Sequence, residues 1–181
     1  MPLCCWLLPP QPNYAVLEAL ISRAAQAHNL PNFAPHLTLL AGIPEAEAQQ
    51  KLLALAGSGT VSVRFAAVAT RPPWNQYIVV EAEETSDLCR AQRLARQTFF
   101  GTPEAEAKVA WALPLGKPHL SLAYGADLAA QLAIADAMPL PESFVATEVC
   151  LVECTPATLE GVPQWKEVGR VCLSPDSQKE H

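Results

Sequence analysis

An unbroken apolar run from Leu3 to Leu8, closed by Pro9 and Pro10, predicts a buried first strand. The period then lengthens. Leu17, Leu20, Ile21 and Ala24 share one face of a helix that Asn13 is placed to cap. Asn29, Pro31, Asn32 and Pro35 stop that helix, and a short strand follows in which His36 and Thr38 alternate with Leu37 and Leu39. An Ala-, Leu- and Glu-rich segment, with Pro44 near its start and Gly57 just past its end, predicts a second helix. Strands at about Val61 to Thr70 and Gln76 to Ala82 flank the loop Arg71-Pro72-Pro73-Trp74-Asn75.

The second half repeats that order. A helix from Ser86 to Phe100 ends at Gly101, and a loop leads to a strand in which His119 and Ser121 alternate with Leu120 and Leu122. Asp127 caps a helix to about Met138, and strands at Phe144 to Cys154 and Trp165 to Leu173 complete the chain. Each half reads helix, histidine strand, helix, strand, strand. With the two histidines 83 positions apart, an α+β unit repeated within one chain is expected. The polar residues 174–181 are expected to fray.

Composition narrows the picture. Half of the 181 residues are hydrophobic, enough for one substantial core, so a single bilobal domain over residues 1–181 is expected. A net charge of −6 argues against long nucleic acid as partner, because that binding needs a basic surface to release counterions. The ligand expected is therefore a small molecule, and a monomer is expected. The apolar stretch Met1 to Pro10 has no basic n-region and is broken by prolines, so it does not read as a signal peptide, and no stretch reaches transmembrane length. Six cysteines without C-x-x-C spacing, mostly within apolar runs, read as reduced thiols of a cytoplasmic protein; Cys150 and Cys154 as metal ligands are the weaker reading.

The candidate chemistry lies in a repeated pentapeptide. Pro35-His36-Leu37-Thr38-Leu39 returns as Pro118-His119-Leu120-Ser121-Leu122. On each strand the imidazole and the hydroxyl share one face and the two leucines the other. A lone strand histidine is usually a packing residue, but packing alone need not repeat a polar face together with an apolar one. Hydrolysing a phosphodiester needs a base for water, an acid for the departing alkoxide and donors for the phosphoryl oxygens. His36 and His119 fit the proton roles near neutral pH, and Thr38 and Ser121 fit the donor role. Neither motif supplies the three or four ligands of a zinc site, so no metal or other cofactor is expected. His28 and His181 lie at a helix end and in the tail and are read as surface residues.

The paired His-x-Ser/Thr motifs, one per half, resemble the two-histidine (2H) phosphoesterase superfamily. The finer resemblance, over nearly the whole chain, is to the cyclic nucleotide phosphodiesterases (CPDases) of plants and fungi. It rests on Trp6-Leu7-Leu8-Pro9, Phe33-Ala34-Pro35-His36, His119-Leu120-Ser121-Leu122-Ala123-Tyr124, and Trp165-Lys166-Glu167-Val168 leading to Val171-Cys172-Leu173. This resemblance implies a bilobal, pseudo-two-fold α+β fold, with two antiparallel sheets flanking a central cleft and helices outside. It implies opening of ADP-ribose 1″,2″-cyclic phosphate to ADP-ribose 1″-phosphate, and of nucleoside 2′,3′-cyclic phosphates to the 2′-phosphates. His36 and His119 are then the acid/base pair, and Thr38 and Ser121 bind the phosphoryl oxygens; the resemblance does not say which histidine is which, and His119 as base with His36 as acid is the assignment expected. Tyr124 is placed at the cleft's rim to hold phosphate or water, and Trp6 is placed to stack on the substrate's base or ring. Plant relatives often carry several aromatics where this chain has Arg71 to Asn75, and here Trp74 either replaces them or packs on a neighbour. The alternatives are a 2′–5′ RNA ligase-like or RNA-end-processing phosphoesterase, and a non-catalytic nucleotide-binding module.

Overall fold

The structure, a computed structural model, describes residues 3–71, 78–101, 117–125 and 140–174. The helix expected from Asp127, most of the loop around Trp74, and the tail beyond Ser174 lie outside the described residues. The elements run β1 (Leu3–Leu8), α1 (Asn13–His28), β2 (Leu37–Ile43), α2 (Ala48–Leu52), β3 (Val61–Thr70), β4 (Ile78–Ala82), α3 (Ser86–Phe100), β5 (His119–Ala123), β6 (Ser143–Ala146), β7 (Glu148–Glu153) and β8 (Lys166–Cys172). Short 3₁₀ segments follow α2 and precede β8.

Where two sheets were expected, the strands form one eight-stranded sheet in the order β6-β3-β4-β5-β2-β1-β7-β8. Each neighbouring pair runs antiparallel. The two groups of four strands are joined at the centre, where Leu37 of β2 pairs with Leu120 of β5. The histidine strands thus meet edge to edge, each satisfying backbone groups that a cleft between sheets would have left to water.

The sheet is also curled. The apolar run from Phe144 to Cys154 reads as one strand, yet it divides at Thr147 into β6, which pairs with β3, and β7, which pairs with β1. Those positions are far apart in the sheet order but only one residue apart in the chain. A single residue reaches no more than about 7 Å between its neighbours' Cα atoms, so the two flanks of the sheet must bend toward each other. The Leu173 amide, just past β8, donates to the Thr147 carbonyl at 2.8 Å and ties the junction. The result is an antiparallel half-barrel.

The helices cover one face. Leu37, Leu39, Leu120 and Leu122 point into a core shared with Leu17 and Ile21 of α1 and Leu88, Ala95 and Phe99 of α3. Thr85 caps α3, its hydroxyl accepting from the Leu88 amide at 3.3 Å, and Gly101 ends it in the left-handed region at φ 65°. Asn13 does not cap α1. Its side-chain amide donates to the Ser143 carbonyl at 3.2 Å and so ties α1 to β6. α2 is only five residues long, because the preceding turn holds Glu47 at φ 62° and delays helical geometry. All six cysteines are free thiols. No helix among the described residues is long and apolar enough to cross a membrane.

The turn before β8 needs a glycine. A Cβ at Gly161 would lie 2.2 Å from the Pro156 carbonyl oxygen, the same oxygen that accepts from Trp165 Nε1 at 3.0 Å. Gly161→Ala is therefore expected to destabilise the fold by about 1–3 kcal/mol, as overpacking does. Leu120→Ala, at a fully buried central position, is expected to lose about 2–5 kcal/mol. Leu53→Ala, 65% exposed, should stay within about 0.5 kcal/mol of the parent. Urea unfolding of the three variants checks that ranking.

Candidate active site

Register assembles the site. With Leu37 across from Leu120 in an antiparallel pair, one step either way sets Thr38 beside His119 and His36 beside Ser121. Alternation puts all four on the face away from the leucine core. Neighbouring strands extend that face. Glu81 of β4 pairs with His119, and Val79 with Ser121. On the other side Trp6 of β1 pairs with Thr38, Cys150 of β7 with Trp6, and Arg170 of β8 with Cys150. One row of side chains therefore crosses six strands, from Glu81 through His119, Thr38, Trp6 and Cys150 to Arg170.

The prolines of the motif also have a structural part. Each holds the residue before it extended, which disfavours helix there. In both motifs the carbonyl of that preceding residue meets the imidazole. His36 Nδ1 lies 2.7 Å from the Ala34 oxygen, and His119 Nδ1 lies 2.9 Å from the Lys117 oxygen. A carbonyl only accepts, so Nδ1 of each neutral ring carries the hydrogen and Nε2 keeps the lone pair. Both rings are thus fixed in the tautomer that leaves Nε2 for proton exchange.

Their surroundings differ. His36 is 4% exposed and stacks on Trp6 with ring centroids 3.5 Å apart and planes 9° apart, while Phe33 meets it edge-on at 6.2 Å. Burial pushes its pKa down from 6.5 to about 4, against the hydrogen bond to Ala34 and with a smaller lowering from the charge of His119. His119 is only partly covered. Burial lowers its pKa too; the Lys117 carbonyl and Glu81 push it up, and Arg71 pushes it down. His119 is thus the one of the pair with a carboxylate at its side.

Of the two expected substrate-binding residues, Tyr124 sits elsewhere than expected. Tyr124 is buried, not at the rim: it stacks on Phe33 with centroids 3.9 Å apart and meets Trp165 edge-on at 6.0 Å. Its hydroxyl hydrogen-bonds with Ser121, and burial raises its pKa so that the phenol stays protonated. It therefore reaches the site through Ser121. Trp6 spends one face on His36 and is almost wholly buried, so that face is not open to a substrate. It does border a pocket of about 260 Å³ walled by Tyr14, Asn32, Phe33, Trp165 and Arg170.

Sequence reasoning missed the charged group beside His119. Glu81 bonds Arg71 at 2.5 Å and Lys117 at 3.4 Å. The signal was present as a single carboxylate within the otherwise apolar run Ile78-Val79-Val80-Glu81-Ala82. It could be interpreted only once Glu81 was known to pair with the histidine strand.

Comparison with known proteins is consistent with this geometry. Among solved structures, TT0787 of Thermus thermophilus matches with a TM-score of 0.58 at 19% identity, covering 97% of this chain and 100% of its own. Escherichia coli LigT complexed with ATP matches at 0.53 and 15% identity, covering 95% and 96%. Kluyveromyces marxianus Usb1 matches at 0.50 and 11% identity, covering 95% and 97%. At these identities the likeness is one of fold. No curated protein sequence matches the chain. Residues 1–140, and with them both histidine motifs, match the family described as cyclic phosphodiesterase-like protein, and the chain belongs to that family.

Proposed function

We propose that the protein hydrolyses cyclic phosphodiesters by acid–base catalysis between His36 and His119, without a metal. The substrates are ADP-ribose 1″,2″-cyclic phosphate, opened to ADP-ribose 1″-phosphate, and nucleoside 2′,3′-cyclic phosphates, opened to the 2′-phosphates. Family membership supports phosphoesterase activity. The observation that supports the proton chemistry is the matched pair of imidazoles on adjacent central strands, each with Nδ1 tied to a carbonyl and a hydroxyl beside it.

Water attacks phosphorus in line with the leaving sugar oxygen. One imidazole accepts the water proton at Nε2, and the other donates its Nε2 proton to the departing oxygen. The new P–O bond and the broken ester bond balance, leaving a phosphomonoester and a free hydroxyl. Thr38 and Ser121 donate to the non-bridging oxygens as charge gathers there, with Tyr124 orienting the Ser121 hydroxyl. The electrostatics favour His36 as base and His119 as acid, the reverse of the sequence-based assignment. His36 is buried and neutral well below pH 7, whereas His119 stands beside Glu81 and accepts a proton more readily when an anionic substrate arrives.

The direct test is ³¹P NMR of the protein with ADP-ribose 1″,2″-cyclic phosphate and adenosine 2′,3′-cyclic phosphate in the presence of EDTA. A growing monoester signal is expected, and its shift identifies the oxygen that keeps the phosphate. Unchanged cyclic signals from folded protein would overturn the reading, and a preference for oligonucleotide ends would move it to RNA processing. In the same assay His36→Ala and His119→Ala should each lose about 10³- to 10⁴-fold in rate. Thr38→Ala should lose less, about 10²-fold, since Ser121 remains.

The pH dependence follows from the two shifts. A base with a lowered pKa stays competent to lower pH, so the acid limb of kcat/KM should fall only near pH 4, the value for His36. An acid with a lowered pKa loses its proton sooner, so the alkaline limb should begin below 6.5, the ordinary value for His119. The expected profile is a bell with a mildly acidic optimum. A flat profile or an alkaline optimum would contradict it.

A further inference from the structure

Of the three charged side chains beside His119, only Glu81 has so far been given a part in the proton transfers. Glu81 projects from β4 on the same face as His119 and directly across from it. Its carboxylate bridges two cations. Oε1 pairs with Arg71, one residue past β3, at 2.5 Å, and Oε2 pairs with Lys117 at 3.4 Å. The Glu81 and Arg71 side chains are only 20% and 18% exposed, whereas Lys117 is 67% exposed. Lys117 is also the residue whose carbonyl holds His119 Nδ1. The cluster therefore acts on His119 in two ways: by charge from Glu81 and Arg71, and through the backbone carbonyl of Lys117.

The ring stacked on the other histidine is uncharged. The residue of β1 that stacks on His36 is Trp6. A sheet that presents the two motifs in mirrored register thus gives one imidazole an indole and the other a carboxylate. A carboxylate within an apolar strand is costly to desolvate unless paired, and Arg71 and Lys117 supply that pairing. It lies in the row that crosses the site, so its charge acts on the neighbouring imidazole in a partly buried setting, where screening is weaker than in water.

We propose that the Arg71–Glu81 pair, anchored on Lys117, is a positioning unit that sets how readily His119 holds its proton, with Glu81 favouring the imidazolium and Arg71 opposing it. The inference rests on the acid–base reading above. It explains why two histidines in near-identical motifs can serve opposite proton roles. The described charges near His119 are Glu81 from β4, Arg71 just past β3, Lys117, whose ammonium pairs with Glu81, and His36, just before β2, which feels the charge of His119.

The test is an NMR titration of the imidazole C2 protons in the full chain, which needs no substrate and so fails or succeeds independently of the proposed reaction. Glu81→Gln should lower the His119 pKa by about one unit, the low end for a neighbouring charge because two cations already offset it. Arg71→Gln should raise it by a similar amount, since it removes the opposing cation and frees Glu81 from its partner. Lys117→Gln, at an exposed side chain, should raise it by less. His36, which feels only the charge of His119, should move by clearly less than His119 in all three variants, and the alkaline limb of kcat/KM should move with His119. Shifts of the same sign in Glu81→Gln and Arg71→Gln, no shift in either, or an equal movement of His36 would overturn the proposal and leave the cluster a structural ion pair.

Discussion

One backbone pairing, Leu37 with Leu120, sets the position of almost everything of interest. It joins two groups of four strands into a single sheet, and it fixes which polar side chain lies beside which. A slip of one residue would turn the histidines toward α1 and α3 and the leucines toward the site, because alternate side chains change face. The leucine core makes that slip expensive. Leu37, Leu39, Leu120 and Leu122 are buried against both helices, so hydrophobic burial on one face holds the geometry of the other.

On that frame the two motifs are alike in backbone and unlike in setting. Both imidazoles are oriented by a carbonyl two residues upstream, across a proline that keeps the intervening chain extended. Beyond that the symmetry ends. His36 is enclosed by Trp6 and Phe33 and its proton affinity is low, whereas His119 is partly open and has Glu81, Arg71 and Lys117 around it. A general acid and a general base need different proton affinities, and on the proposed reading the unequal burial of the two rings and the charges beside His119 separate them.

How much could be read from the sequence varies with the kind of interaction involved. The motifs and the faces they present follow from period-two alternation, and β1, β3, α1 and α3 follow from equally local signals. The single sheet was not legible, because the β2–β5 pairing joins residues far apart in sequence and leaves no local mark. Nor was the break at Thr147, where an apolar run continues without Gly or Pro while its strand partner changes from β3 to β1. The packing of Trp6 and Tyr124 was not legible either, because aromatic rings find each other in three dimensions: Trp6 stacks on His36 and Tyr124 on Phe33, and both are buried. Glu81 escaped notice for a related reason, since its partner is defined by register alone.

That both imidazoles address one phosphate can be tested most directly by titrating the protein with adenosine 2′-phosphate while following the C2-proton resonances of His36 and His119. Both resonances are expected to shift and saturate together with a single Kd. Movement of only one histidine, or two distinct dissociation constants, would contradict a shared phosphate site.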